Sequence, residues 1–126
     1  MQAIECQGAD LADSLVAIEY GTAIVRERWK LEILWLIFAG HHRFNALQRA
    51  LPNATHKMLS QQLRDLVRDG ILRRWSAERG RRHVEYLLTP AGEALRPVLA
   101  ALESWAREYK RGSEEASASR PTTTRL

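Results

Sequence analysis

Four long polar side chains recur at helical spacing within HKMLSQQLRDLVR, residues 56–68. Spaced at i, i+4, i+7 and i+11, they are Lys57, Gln61, Arg64 and Arg68. This spacing puts all four on one side of a helix. Arginine and lysine donate hydrogen bonds to guanine or to phosphates, and glutamine pairs with adenine, so such a stripe fits a DNA groove. The solvated face of an ordinary helix carries the same residue types, and the stripe alone leaves both interpretations open.

The segments on either side favour a helix-turn-helix. Thr55 is the predicted N-cap of this helix and Gly70 its predicted stop. Its inward face is predicted from the apolar positions Met58, Leu59, Leu63, Leu66 and Val67. A short helix precedes it and is expected to end before Pro52, because proline disfavours helical geometry in the preceding residue. Residues 55–68 are therefore the predicted recognition helix of a helix-turn-helix motif.

The chain then changes to the two-residue period of β-strands. ILRRW and HVEYLL are strand-like runs, and SAERGRR joins them with Gly80 as the turn residue. They predict a hairpin over about residues 71–88, directly after the recognition helix, which is the position of a wing. Its basic residues are Arg73, Arg74, Arg79, Arg81, Arg82 and, when protonated, His83. This basic content suits contacts with phosphates or with a minor groove.

Helices are predicted before and after these elements. A seam from Leu11 to Trp29, with steps of three and four residues, predicts the first helix, and Gly21 is expected to bend or split it. The second, residues 30–39, is apolar almost all round and is expected in the core, with Gly40 ending it. Thr89 and Pro90 open a C-terminal helix over residues 90–110, with a kink at Pro97. Its wide apolar stripe leaves two interpretations open: it faces another subunit, or it covers the wing and the second helix.

Composition and length set the class of protein. A chain of 126 residues predicts one domain over residues 11–111, with an N-terminal arm at 1–10 and a disordered tail at 112–126. The first 20 residues hold four acidic and no basic side chains, so the remainder is strongly basic and suits a polyanionic partner. No signal peptide and no membrane-length apolar run are found, and a cytoplasmic location is expected. The predicted fold class is mainly α with a small β-hairpin.

Other chemistries find less support in the sequence. Motifs for catalysis or for a cofactor are lacking, so neither an enzyme nor a bound cofactor is predicted. Cys6 carries a redox hypothesis, against the alternative of an inert terminal thiol. His41 and His42 invite a metal site, but adjacent residues point apart and a loop is the better interpretation. The four tryptophans are expected in the core rather than around an effector pocket.

With its elements in this order, the sequence resembles the HxlR-type winged helix-turn-helix regulators of the MarR-like superfamily. The resemblance covers roughly residues 18–105 and is carried by RFNAL, KMLSQQLRDL, DGILRR and VEYLLTPAGEAL. It implies a transcription regulator that forms a homodimer through its terminal helices and binds double-stranded DNA at a palindromic operator. The DNA-binding residues it implies are Arg43, Thr55, His56, Lys57, Ser60, Gln61 and Arg64, with Arg79, Arg81 and Arg82 in the wing.

Three departures from the family pattern and one rival function accompany this resemblance. The wing reads AERGRRHVEY where relatives commonly have a proline before the valine, so the shape of the wing is expected to differ. The family usually has a glycine just before its Lys-Trp pair, whereas this chain reads IVRERWK, so the junction of the first two helices is expected to differ. Redox-sensing relatives carry a cysteine where this chain has Leu15 or Val16. The rival is a winged helix that binds protein or RNA without specific DNA binding, since a fold does not fix a function.

Overall fold

The local sequence signals produce a chain of helices interrupted by one β-hairpin. The computed structural model describes residues 8–76 and 83–119. Its elements, in chain order, are α1 (Gly8–Val25), α2 (Lys30–Phe38), α3 (Phe44–Ala50), α4 (His56–Arg68), β1 (Leu72–Ser76), β2 (Val84–Leu88), α5 (Pro90–Glu93) and α6 (Arg96–Ser119). The predicted fold class, a mainly α winged helix-turn-helix, is confirmed.

The core forms where the apolar sides of α2 and α4 meet β1 and α6. Its fully buried side chains are Ile33, Leu34, Ile37, Leu47, Leu59, Leu63, Leu66 and Leu72. Ala54 is buried to the same degree, and Trp29, Ile71 and Leu99 complete the core at slightly greater exposure. The helix α2 contributes three of these residues within five positions, whereas Trp35 on the same helix is 40% exposed, so burial in this core explains only part of its apolar sequence.

The helix ends are set by the residues that the sequence predicts. Gly40 follows α2 at φ 108° and Gly70 follows α4 at φ 79°, in the left-handed region that glycine enters without a steric penalty. The helix α3 stops at Ala50, two residues before Pro52. At the start of α4, the Thr55 hydroxyl accepts a hydrogen bond from the Met58 amide at 3.0 Å. The helix-turn-helix is therefore bounded by local chemistry.

The wing is a two-stranded antiparallel hairpin in which Leu72 pairs with Leu88 and Ser76 with Val84. Its turn, with Gly80, lies outside the described residues. The hairpin leads into α5, where the Thr89 side chain accepts from the Gly92 amide at 3.1 Å. Gly92 is buried, and a Cβ atom there would collide with the Ile71 carbonyl oxygen. The close approach of α5 to the wing therefore requires glycine at position 92.

The first helix differs from its prediction in three ways. It begins at Gly8, inside the predicted N-terminal arm, and continues through Gly21 without a break. It also ends at Val25, so the predicted seam does not extend as a helix to Trp29. Trp29 instead has φ 79°, a left-handed conformation that costs a non-glycine residue energy. The junction lacks the family's glycine, and burial of the indole in the core holds this strained backbone in place.

The C-terminal segment also differs from the single kinked helix that the sequence predicts. It divides into α5 and α6 around Ala94 and Leu95, and Pro97 lies in the first turn of α6, where its missing amide hydrogen costs nothing. The predicted disordered tail is wrong for residues 112–119, because α6 continues to Ser119. Helix-compatible residues such as Glu114 and Glu115, and ion pairs such as Arg111 with Glu108 at 2.6 Å, support this extension.

Across the described part of the chain, none of the helices has the length and apolar content required to cross a membrane.

Candidate nucleic-acid interface

The recognition helix α4 has two sides of opposite character. Leu59, Leu63 and Leu66 are buried against the core, as predicted, whereas Met58 is 37% exposed and does not join them. The other side is exposed at His56, Lys57, Gln61, Arg64 and Arg68. The structure thus brings the four residues of the predicted polar stripe onto one solvent-facing surface. We call this surface, comprising Lys57, Gln61, Arg64 and Arg68, the polar face.

The N-terminal part of α4 carries the other residues of this helix that were predicted to contact DNA. Thr55 is the N-cap, and its hydroxyl oxygen is occupied by the Met58 amide. The His56 ring lies against the Phe44 ring of α3, with centroids 4.6 Å apart. Ser60 is half-buried one turn further along. The two helices of the motif therefore meet at His56, which leaves Lys57 as the long exposed side chain of this turn.

A hydrogen-bonded chain organises the middle of the polar face. The Gln61 amide nitrogen donates to Asp65 Oδ1 at 3.0 Å, and its oxygen accepts from the Arg64 guanidinium at 2.9 Å. Asp65 Oδ1 also accepts from Arg68 at 3.1 Å. Gln61 and Arg64 are thus held by neighbours before any partner arrives. Such preorganisation reduces the conformational entropy lost on binding.

Asp65 joins this surface to a buried lysine that the sequence analysis missed. Lys30, the first residue of α2, is 3% exposed, and its ammonium lies 3.9 Å from Asp65 Oδ2. The spacing of Gln61, Asp65 and Arg68 at i, i+4 and i+7 is a sequence signal for the surface part of the network. Nothing in the local pattern points to Lys30, which is 35 residues away from Asp65.

The wing is anchored to the helix-turn-helix through the loop before α3. The Tyr86 amide donates to the His42 carbonyl at 2.8 Å, and His42 Nδ1 lies 3.2 Å from the Tyr86 carbonyl oxygen. The predicted loop position of His41 and His42 is confirmed. His42 therefore has a structural role, because both backbone polar groups of Tyr86 meet it.

Arg43, a predicted DNA-binding residue, lies beside the wing. Its guanidinium donates to His83 Nδ1 at 2.6 Å, and His83 Nε2 is 2.9 Å from Glu85 Oε2. A cleft between α3 and β2 exposes Arg43 and Arg49 together. Arg43 is thus positioned between the two elements expected to meet DNA. Arg79, Arg81, Arg82 and Cys6 lie outside the described residues, and their assigned roles stay predictions.

Comparison with known proteins supplies the assignment that geometry alone leaves open. A model of the HxlR-like helix-turn-helix family matches residues 24–114. The chain belongs to this family. It is similar to the HTH-type transcriptional regulator YdeP of Bacillus subtilis, with 32% identity over 86% of this chain and 85% of that protein. As an HxlR-like protein, it is a transcription regulator of the helix-turn-helix type.

Solved structures of related regulators show the same fold. The redox regulator HypR in its reduced form superposes with a TM-score of 0.73 at 30% identity, over 79% of this chain and 98% of that one. The putative HTH-type transcriptional regulator ytcD gives a TM-score of 0.70 at 34% identity, over 75% of this chain and 96% of that one. The winged helix-turn-helix of this HxlR-like chain is therefore shared with both regulators over nearly the whole of their chains.

The tryptophans of this HxlR-like chain are distributed differently from their prediction. Trp29 belongs to the core, but Trp35, Trp75 and Trp105 are 40%, 43% and 61% exposed. Trp29 and Trp35 also line an apolar groove of about 700 Å³ between the end of α1, α2 and α6. The expectation of four core tryptophans is wrong for three of them, because the described residues leave the faces that carry them largely uncovered.

Thr55 provides a test of the local chemistry that starts the recognition helix. Thr55→Ala removes the acceptor of the Met58 amide and is expected to lower the free energy of unfolding by about 1 kcal/mol. Urea denaturation measures this loss. Thr55→Ser retains an acceptor and serves as the matched control. Equal stability of the alanine variant and the wild type would show that the cap contributes nothing.

Proposed function

We propose that this regulator binds DNA sequence-specifically in the cytoplasm, as a homodimer on a palindromic operator. The observation that carries the proposal is the polar face of α4, which is exposed while the opposite side of the same helix forms the core. Base edges in a major groove present donors and acceptors to such a helix. Exposed arginines at positions 73 and 74 of the adjoining wing extend the positive surface.

The residues on this surface divide into two proposed roles. Lys57, Gln61 and Arg64 read bases. Lys57 and Gln61 lie in the first half of the recognition helix, the part that enters the groove in helix-turn-helix proteins, and Arg64 follows Gln61 on the same face. Arg43 and the wing residues Arg79, Arg81 and Arg82 contact the DNA backbone. Thr55, His56 and Ser60 lie near the start of α4. Polar side chains near the N-terminus of a recognition helix commonly contact the phosphates along the groove.

Exposed apolar residues on the terminal helices support the homodimer. On α1 they are Leu11, Leu15, Val16, Ile18 and Tyr20, and on α6 they are Val98, Leu102, Trp105 and Tyr109. Each is at least 45% exposed, and patches of this kind on a small protein mark interaction sites. Leu102 also lines the groove beside Trp35, so the exposed face and the groove are continuous. A second copy of the chain would cover both, which favours the intersubunit interpretation of the α6 stripe.

The proposal is tested by fluorescence anisotropy on duplex DNA from upstream of the protein's own coding region. The comparison is a scrambled duplex of equal length, titrated at several salt concentrations. Specific binding is expected to favour the upstream duplex by about 10³ or more, and affinity is expected to fall as salt rises. If that duplex shows no preference, the same measurement on duplexes selected from a random library follows. Selection that enriches no motif would overturn the proposal and favour a protein-binding or RNA-binding winged helix.

Gln61→Ala tests the assignment of the base-reading residues. The variant is expected to lose about 1–3 kcal/mol of discrimination at one base position in each half-site, because a bidentate glutamine contact is removed. Affinity for scrambled DNA is expected to stay close to that of the wild type. Gln48→Ala, on α3, is a control that removes a glutamine outside the polar face. A uniform loss of affinity on all duplexes would contradict base reading by Gln61.

A further inference from the structure

We propose that the buried pair Lys30 and Asp65 sets the base preference of the recognition helix by fixing the orientation of the Gln61 amide. This inference rests on the proposed function, since it requires that Gln61 read a base. Neither Lys30 nor Asp65 would touch DNA. Both would act as positioning residues beneath the polar face.

The pair of Lys30 and Asp65 is costly to bury. In the part of the chain that the structure describes, the buried charged residues are Lys30 at 3% exposure and Asp65 at 8%. The Lys30 ammonium has loosely placed partners: the Ile24 carbonyl at 3.4 Å, Asp65 at 3.9 Å and Glu27 at 4.0 Å. Transfer of two charges from water into a core is costly, and apolar residues of similar size often stabilise a protein as well or better. A role other than stability therefore accounts better for this pair.

The two oxygens of the Asp65 carboxylate face different surroundings, one toward the core and one toward the surface. Asp65 Oδ2 lies toward Lys30, whereas Oδ1 accepts from Gln61 Nε2 at 3.0 Å and from Arg68 at 3.1 Å. An ionised carboxylate can only accept hydrogen bonds, so the group facing it must be the Gln61 amino group. The amide oxygen then points away and accepts from Arg64 at 2.9 Å. Lys30 thus anchors an acceptor that selects one of the two orientations of the amide.

The Gln61 amide retains hydrogen-bonding capacity for a base. A glutamine amide has two N–H donors and two lone pairs on its oxygen. Asp65 takes one donor and Arg64 takes one lone pair, which leaves one of each. Adenine presents one acceptor and one donor in the major groove. A bidentate contact with adenine therefore uses one donor and one acceptor of the glutamine amide. Gln61 can therefore remain held by the network while it reads a base. With the reverse orientation, donor and acceptor would exchange places.

The test uses selection of bound duplexes from a randomised library, followed by sequencing, with the full-length protein. The main variant combines Lys30→Met with Asp65→Leu, which removes both charges and leaves neither unpaired. It is expected to lose, by about 5- to 150-fold, the preference at the one position per half-site that Gln61→Ala also loses. The rest of the selected motif is expected to stay unchanged. Glu108→Gln with Arg111→Gln removes an exposed ion pair from α6 and is expected to select the wild-type motif.

The outcomes separate this inference from the proposed function. If the double variant selects the wild-type motif while Gln61→Ala loses one position, the positioning role is overturned and the proposed function stands. If wild-type protein enriches no motif, the proposed function itself fails. Circular dichroism tests whether the double variant is folded. If it is not, Asp65→Asn replaces it, since this isosteric change removes the charge that excludes the reversed amide. Asp65→Asn is expected to relax preference at the same position, and an unchanged motif would overturn the proposal.

Discussion

Replacement of Leu102 and Trp105 together by glutamate is expected to convert the proposed homodimer into a monomer. Affinity for a full palindromic operator is then expected to fall by about 10²- to 10⁴-fold, because the second recognition helix no longer binds as part of the same molecule. Affinity for an isolated half-site is expected to change little. Sedimentation velocity measures the assembly state, and fluorescence anisotropy on full and half operators measures the two affinities.

The physical reason lies in what these side chains contact within one chain. Leu102 is 45% exposed and Trp105 is 61% exposed, although the preceding turn of α6 inserts Leu99 into the core. Trp105 stacks on Tyr109 with ring centroids 5.2 Å apart, which makes a flat aromatic surface. Large aromatic residues contribute much of the binding energy of an interface. Charges placed at its centre would be buried without partners, and this cost opposes association.

A matched control distinguishes loss of the interface from a general effect of added charge. Ala100→Glu with Ser104→Glu adds the same two charges to the same helix, on the side opposite Leu102 and Trp105. That variant is expected to remain dimeric and to bind the full operator normally. If the Leu102 and Trp105 variant stayed dimeric but became less stable, α6 would cover its own chain, and the alternative interpretation of its stripe would be correct.

The elements governed by local chemistry could be predicted from the sequence. Thr55 at an N-cap, Gly70 at a helix stop and Pro52 after a helix act within one turn of the backbone they affect, so their neighbours in sequence are sufficient. The short strand-like runs ILRRW and HVEYLL on either side of Gly80 likewise predicted the wing. The polar face could be predicted from helical spacing alone, because the spacing of residues within a helix determines which side of it they occupy.

Features that depend on packing between distant segments could not be predicted in this way. The strained backbone at Trp29 exists because the indole fits the core, and no local rule favours a tryptophan at φ 79°. In the sequence, Lys30 is an ordinary lysine at the start of a helix. Its proximity to Asp65, at 3.9 Å, is visible only in the fold. The contact of His42 with Tyr86 spans 44 residues of chain. In the C-terminal tail, small polar residues suggested disorder, whereas the helix formers among them continue α6.

Leu63→Ala is expected to lower the free energy of unfolding by about 2–5 kcal/mol. Leu63 is 1% exposed and lies on the buried side of α4, directly beneath the polar face. Truncation removes buried apolar surface and leaves a cavity that the well-packed core fills only in part. Urea denaturation at equal protein concentration measures the loss. Met58→Ala, at a position 37% exposed on the same helix, is expected to cost much less. Similar losses for the two variants would contradict the division of α4 into a core side and an exposed side.

The same variant also separates the stability of α4 from its capacity to read DNA. Every side chain of the polar face is retained, so folded molecules of Leu63→Ala are expected to select the wild-type DNA motif. Apparent affinity then falls only by the fraction of protein that is unfolded. Operator DNA in excess is expected to raise the stability of wild type and variant by the same increment, because that increment depends only on ligand concentration and Kd. An altered motif in Leu63→Ala would mean that the core side of α4 helps to set the geometry of the polar face.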